Sequence, residues 1–215
     1  MKRIFLSLFL TGGLAIAAMA QSAQYQDAMT QQTADLDSSS VFNPDGLLQK
    51  ANTFERIADA EKSQWLPYYY AAYCDIMIAF MQQDKSKIDP LADKAEANLD
   101  KAEALSPKNS EIACVRSLIA SARLTVDPQT RGMKYGMEAG QLLEQAKAYN
   151  PENPRVYLLQ GQSLLFTPEQ FGGSKPKAKT MLELALEKYA AFKPDSIIAP
   201  HWGEGYTREL LAKAQ

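Results

Sequence analysis

The sequence predicts an all-α protein, built as an array of helical hairpins, and three observations lead to this prediction. The segment 99–109 recurs at 143–153 with the same Leu, Ala, Pro and Asn positions. In both copies small residues stand at helical spacing, and a proline then ends one helix and precedes the next. No stretch alternates apolar and polar residues as a strand would. A period of about 40 residues with this pattern is typical of stacked helical hairpins.

The helices follow from the apolar period and from the residues that break it. A weak helix near 24–37 precedes Asn43-Pro44-Asp45, which begins a second helix with an apolar stripe. In the third hairpin the second helix is expected only from residue 133, after a loop. The last helix follows Pro200-His201-Trp202-Gly203, and its polar side suits a terminal cap. The predicted hairpins are about 24–62, 66–105, 110–149 and 154–192, and the cap is 203–214.

The N-terminus has the three parts of a secretory signal peptide. Lys2 and Arg3 precede an apolar run over 4–17, and Ala18-Met19-Ala20 is an A-x-A cleavage signature. The alternative is a membrane anchor, but the run is short for the ~20 residues of a spanning helix. We therefore expect residues 1–20 to be removed and the domain 21–215 to be periplasmic or secreted.

Composition excludes several classes of function. The chain carries 23 basic and 25 acidic residues, a formal charge of −2, so it lacks the basic surface that nucleic acid requires. It has one histidine, which rules out a His-rich metal site. No nucleotide-binding, zinc-protease or hydrolase motif is present. We predict no enzyme activity, no metal and no cofactor.

The repeat resembles the tetratricopeptide-repeat family, and the chain looks like an exported bacterial member of it. The second helices carry the family's Ala, Leu, Ala and terminal Pro positions, and two first helices carry its aromatic-then-small pair, Tyr68 with Ala72 and Tyr157 with Gly161. The resemblance implies a solenoid of about four antiparallel hairpins plus a C-terminal capping helix. The family serves as a scaffold with many uses, so it implies no single function.

The family's first helices line a concave face, and the resemblance assigns candidate binding residues to it. These lie one turn either side of the small residues. They are Tyr69, Tyr73, Ile76, Leu118, Ser121, Leu158, Gln162 and Leu165. Such a groove is largely apolar, which suits an extended or helical peptide better than an acidic segment. The alternative is that the protein's own first or last helix covers this face.

A second candidate surface is the edge formed by the lengthened connections within the repeats. Inserted residues of an array align along one edge, which is often the working one. The candidates there are Arg131, Lys134, Phe171 and Lys175. The alternative is a solvated loop edge without a ligand.

The two cysteines, Cys74 and Cys114, fall on neighbouring first helices. In register they would be offset by about 7–8 Å along the helix axis, whereas bridged Cα atoms are usually closer than ~7 Å. Helix tilt could still bring a Cys74–Cys114 disulfide together, but two buried thiols are the expected state.

The sequence favours a non-catalytic exported scaffold that binds a partner protein or peptide in the cell envelope. The alternative is a small-molecule carrier with a pocket on the concave face. A polar pocket deep in that face would favour the carrier, and an open apolar groove would favour the scaffold.

Overall fold

A computed structural model describes residues 23–36 and 42–215, so the predicted signal peptide, 1–20, lies outside the described residues. Within them the chain is helical and contains no strand, which confirms the all-α prediction. Helix α1 covers 23–33 and is followed by a turn. The further helices are α2 Pro44–Ala60, α3 Trp65–Met81, α4 Ile88–Leu105, α5 Ser110–Val126, α6 Pro128–Tyr149, α7 Pro154–Phe166, α8 Lys175–Ala191 and α9 Glu204–Lys213.

Short polar side chains set where the helices begin. The side-chain oxygens of Asn43, Asn109, Asp127, Asn153 and Ser174 accept backbone N–H groups in the first turns of α2, α5, α6, α7 and α8. A proline also stands in the first two positions of α2, α6, α7 and α8, where its missing N–H costs nothing. The repeated Pro-x-Asn of the sequence therefore supplies the caps of α5 and α7.

The second helix of the third hairpin begins earlier than the sequence analysis expected. The expected start was residue 133, whereas α6 begins at Pro128. Asp127 accepts the backbone N–H groups of Gln129 and Thr130, and Pro128 has the fixed φ of a first helical residue. The stretch expected to form a loop is therefore the first part of a helix. Helix α1 also ends earlier than the expected residue 37, since its last helical residue is 33.

Helices α3, α5 and α7 form the interior of the protein. Each helix from α2 to α9 packs against the next one along the chain, and α5 also contacts both α3 and α7. Most residues of α3 are buried, because neighbours cover it on several sides. Among the described residues, no helix is both long enough and apolar enough to cross a membrane. The three inner helices are thus placed to form the walls of an internal site.

Candidate functional site

A cavity of about 910 Å³ lies between the inner helices and the C-terminal helix. Its volume falls in the range of about 300–1,000 Å³ that is usual for small-molecule sites. The exposed rings of Phe166 and Tyr206 stand at its border, so the cavity reaches the protein surface there. The side chains that line it include Phe42, Tyr73, Met77, Phe80, Met81, Leu118, Leu124, Leu143, Leu158, Leu159, Gln162, Phe166, Trp202 and Tyr206.

The apolar walls come from residues that recur on one face of a helix. On α3, Tyr73, Met77 and Phe80 follow one another at intervals of four and three, so their side chains point the same way. On α7, Leu158 and Gln162 stand in the same relation. Because neighbouring helices cover the other faces of α3, this stripe is the part of the helix that borders the cavity.

A column of hydroxyl groups on α5 forms one polar part of the lining, beside Gln162, Ser163 and Thr167. Ser117, Ser121 and Thr125 each lie one turn beyond the last. Their hydroxyls donate to backbone oxygens of their own helix, those of Cys114, Ser117 and Ala122, at 2.7–2.8 Å. The hydrogens are therefore engaged, and the oxygens present lone pairs that can accept a hydrogen bond.

Trp202 forms one end of the cavity. Its ring stacks on that of Tyr73, with centroids 4.8 Å apart and planes 28° apart. Its indole Nε1 donates to the hydroxyl of Tyr69 at 2.8 Å. Burial, reinforced by the charge of Glu111, raises the pKa of Tyr69 well above its ordinary value, so this phenol stays protonated. The wall is thus a stacked aromatic pair, and a hydrogen bond to the neutral Tyr69 phenol holds its Trp202 ring.

The lining is poor in charge. Glu209 is the one charged side chain among the described residues that line the cavity, and no lysine or arginine joins it there. Burial, followed by the charge of Glu209, raises the pKa of the neighbouring Tyr206. The cavity therefore offers a ligand aromatic and aliphatic surface, hydroxyl oxygens, the amide of Gln162 and the carboxylate of Glu209.

Five of the eight concave-face candidates line the cavity, namely Tyr73, Leu118, Ser121, Leu158 and Gln162. The other three do not. Tyr69 is fully buried with its hydroxyl turned to Trp202, Ile76 is buried in the core, and Leu165 is partly buried against it. The assignment by helical turns missed these differences because inner helices are covered on more than one face, and sequence spacing does not distinguish those faces.

The candidates for the loop edge lie away from the cavity. Arg131 and Lys134 stand on α6, where the guanidinium of Arg131 pairs with Asp89 at 2.9 Å. Phe171 ends a 3-10 turn and is exposed, and Lys175 is the first residue of α8. The structure does not bring these four side chains together with the cavity lining.

Cys74 and Cys114 are both fully buried, and each carries a free thiol. Burial raises the pKa of both thiols above their ordinary value. Protonated, shielded thiols of this kind behave as small apolar side chains.

Several lining residues were not among the sequence candidates. Met77 and Phe80 continue the face of Tyr73 along α3, so the helical period could have found them. Tyr206 lies in the first turn of α9, and Trp202 lies in the connection before that helix. No helical period relates these two residues, so no pattern in the sequence indicates that they line the same cavity.

Fold and cavity together describe an all-α protein with an internal site of small-molecule size. Comparison with solved structures identifies a relative, the HusA haemophore from Porphyromonas gingivalis. It is 46% identical to this chain, the match covers 89% of this chain and 92% of that chain, and the TM-score is 0.81. The chain belongs to the family of the HusA haemophore. No protein-family model matches the sequence, and no curated protein matches it.

This relationship corrects two expectations of the sequence analysis. The assignment to the tetratricopeptide-repeat family is wrong, because the relative at 46% identity is a haemophore. The short Ala-Leu-Ala-Pro pattern reflects the need for small residues where two helices pack closely. Helical hairpins of other families have the same need. The expectation of a protein or peptide partner in a scaffold is wrong as well, since a haemophore is a carrier of haem, a small molecule.

Proposed function

We propose that this protein is an exported haem carrier, a binding protein rather than an enzyme, and that haem lies in the cavity between α3, α5, α7 and α9. The observation that carries the proposal is a largely apolar cavity of about 910 Å³ in a chain that is 46% identical to a haemophore. The small-molecule carrier that the sequence left as the alternative is thus the better supported function.

The chemistry of the lining suits the macrocycle of haem. The ring is flat, wide and apolar on its faces, and the ring of Tyr73, supported by its stacking on Trp202, offers aromatic surface to it. Methionine side chains such as Met77 and Met81 adapt to irregular apolar shapes. Burial of apolar area at about 25 cal/mol per Å² then favours binding without any charged contact.

The charges of the lining orient the ligand. Haem carries two propionate carboxylates, and an unpaired carboxylate is costly to bury. The cavity lining contains Glu209 and neither lysine nor arginine among the described residues. We therefore expect the propionates to remain in solvent at the mouth of the cavity and the opposite, apolar edge of the ring to enter first.

Four lining side chains belong to the types that can hold haem iron: Tyr73, Met77, Met81 and Tyr206. For Tyr206, the raised pKa opposes the phenolate form that iron binds. Histidine is not among the described lining residues, and the single His201 is exposed beside Trp202. The apolar contacts are expected to supply most of the affinity.

Titration of the purified protein with haem tests the proposal. Wild type is expected to bind one haem, with a shift of the haem absorption band and quenching of tryptophan fluorescence. Ser121→Phe places a ring inside the cavity and should weaken binding at least tenfold. A loss of about 1.4 kcal/mol of binding free energy is tenfold in affinity, and at about 25 cal/mol per Å² the loss of about 60 Å² of apolar contact is enough to cause it. Ser86→Phe adds the same ring to an exposed turn and serves as the control. Equal affinities for the two variants, or no binding by wild type, would contradict the proposal.

A further inference from the structure

Arg155, the second residue of α7, is a fully buried cation that lies behind the cavity. Its guanidinium makes a two-pronged ion pair with Glu111 of α5, at 2.6 Å from Nε to Oε2 and 2.6 Å from Nη2 to Oε1. A buried ion pair is seldom more stabilising than well-packed apolar residues of the same volume. Its presence here is better explained by the position it imposes on its surroundings than by stability.

The remaining N–H groups of the guanidinium hold the connection between α8 and α9. Nη2 donates to the backbone oxygen of Pro200 at 3.1 Å, and Nη1 donates to that of Trp202 at 3.3 Å. The hydroxyl of Tyr189 donates to the same Trp202 oxygen at 2.9 Å. A single side chain on α7 therefore fixes this connection at two points, and Glu111 fixes the side chain.

The same cation also faces the ring that forms the cavity wall. The guanidinium carbon lies 5.5 Å from the centre of the Trp202 ring. That ring also stacks on Tyr73 in the cavity lining, and its Nε1 donates to the hydroxyl of Tyr69, which in turn lies 3.4 Å from Glu111 Oε2. The Arg155–Glu111 pair thus contacts Trp202 at its backbone oxygen and at its ring, and through Tyr69 at its ring nitrogen. Arg155 itself does not line the cavity.

We infer that Arg155 is a positioning residue for ligand binding, which acts by fixing Trp202 as the end wall of the cavity. This inference rests on the proposed function. Without the guanidinium, the backbone oxygen of Trp202 accepts only one side-chain hydrogen bond, from Tyr189, and the Trp202 ring loses its contact with the cation. A ligand then has to order the wall as it binds, and its affinity falls by the cost of that ordering.

A double-mutant cycle with haem as the probe separates positioning from general stability. Trp65→Phe is the parent. The chain has two tryptophans, so in this parent Trp202 is the sole source of tryptophan fluorescence. Arg155→Met and Trp202→Ala are each expected to weaken haem binding about tenfold or more, and the double variant should bind no more weakly than Trp202→Ala alone. In Arg155→Met, acrylamide should quench Trp202 fluorescence more strongly than in the parent. Arg116→Met removes an arginine that pairs with Asp100 and Glu103 on the outside of α5, and it should change affinity less than twofold.

The inference is overturned if Arg155→Met binds haem as the parent does, or if the losses of the two single variants multiply in the double variant. Unchanged quenching of Trp202 in Arg155→Met would overturn it as well. If Arg155→Met does not fold, Arg155→Lys replaces it in the cycle, because an ammonium keeps the charge but cannot reproduce the planar fork. Failure of the parent to bind haem would refute the proposed function, and the quenching of Trp202 would still decide whether Arg155 positions the wall.

Discussion

Gly203 stands where the connection after α8 enters α9, and its backbone requires a glycine. Its φ of +105° lies in the region that residues with a Cβ rarely adopt. A Cβ built there would meet the hydroxyl of Tyr189 and lie 2.8 Å from Cδ2 of Leu158. Both neighbours are engaged, since Tyr189 holds the Trp202 backbone and Leu158 lines the cavity.

We predict that Gly203→Ala destabilises the protein by about 2–6 kcal/mol. Backbone strain at a positive φ contributes about 1–3 kcal/mol, and forcing an extra carbon into a filled site contributes about 1–3 kcal/mol. For a chain of this size, the melting temperature should fall by about 4 °C or more.

Gly205 provides the matched control. It also borders the cavity but lies within α9, and a Cβ there would meet no atom within 4 Å. Gly205→Ala should leave stability unchanged or raise it by up to about 1 kcal/mol, because alanine loses less conformational freedom in a helix. Denaturant unfolding followed by circular dichroism compares the two variants through the transition midpoint. If Gly203→Ala is as stable as Gly205→Ala, the reasoning from φ and from the Tyr189 contact is refuted.

Three further predictions concern Asp75, the two thiols and the N-terminus. Burial raises the pKa of Asp75 to about 6 despite Lys94, so the folded protein holds a proton that the unfolded chain releases near pH 4. Wild type should therefore lose up to about 3 kcal/mol of unfolding free energy between pH 4 and 6 relative to Asp75→Asn; parallel pH profiles would refute this. Mass spectrometry after alkylation should show two adducts in denaturant without reductant and none under native conditions; a denatured chain with no adduct would indicate a disulfide. The intact mass of the exported protein should correspond to a chain that begins at Gln21, and a species that retains Met1 would exclude cleavage.

The all-α class could be read from the sequence because it depends on local signals. Apolar residues at helical spacing, and prolines and asparagines at the breaks, act over a few residues. Asn109 and Asn153 are examples, since each caps the helix that follows it. The predicted start of α6 at residue 133 is wrong, although Asp127-Pro128 carries the same local signal as the other helix starts.

The cavity was only partly predictable, and the reason is geometric. Helical spacing places Tyr73, Leu118 and Gln162 on inward faces, and all three line one cavity in the structure. The same spacing also predicts that Tyr69 faces the cavity. In the structure its side chain lies behind the cavity wall, where its hydroxyl accepts a hydrogen bond from Trp202. A period in the sequence specifies a face of one helix, whereas a cavity depends on how several helices cross.

The sequence by itself determined the helices and most of their boundaries, because caps, breakers and apolar stripes are encoded residue by residue. Only the tertiary structure decided where the cavity lies and what closes it. Trp202 reaches Tyr69 across a separation of 133 residues, and Arg155 reaches Glu111 across 44. Contacts of that range form when the inner helices and the C-terminal segment pack together, and no local pattern in the chain records them.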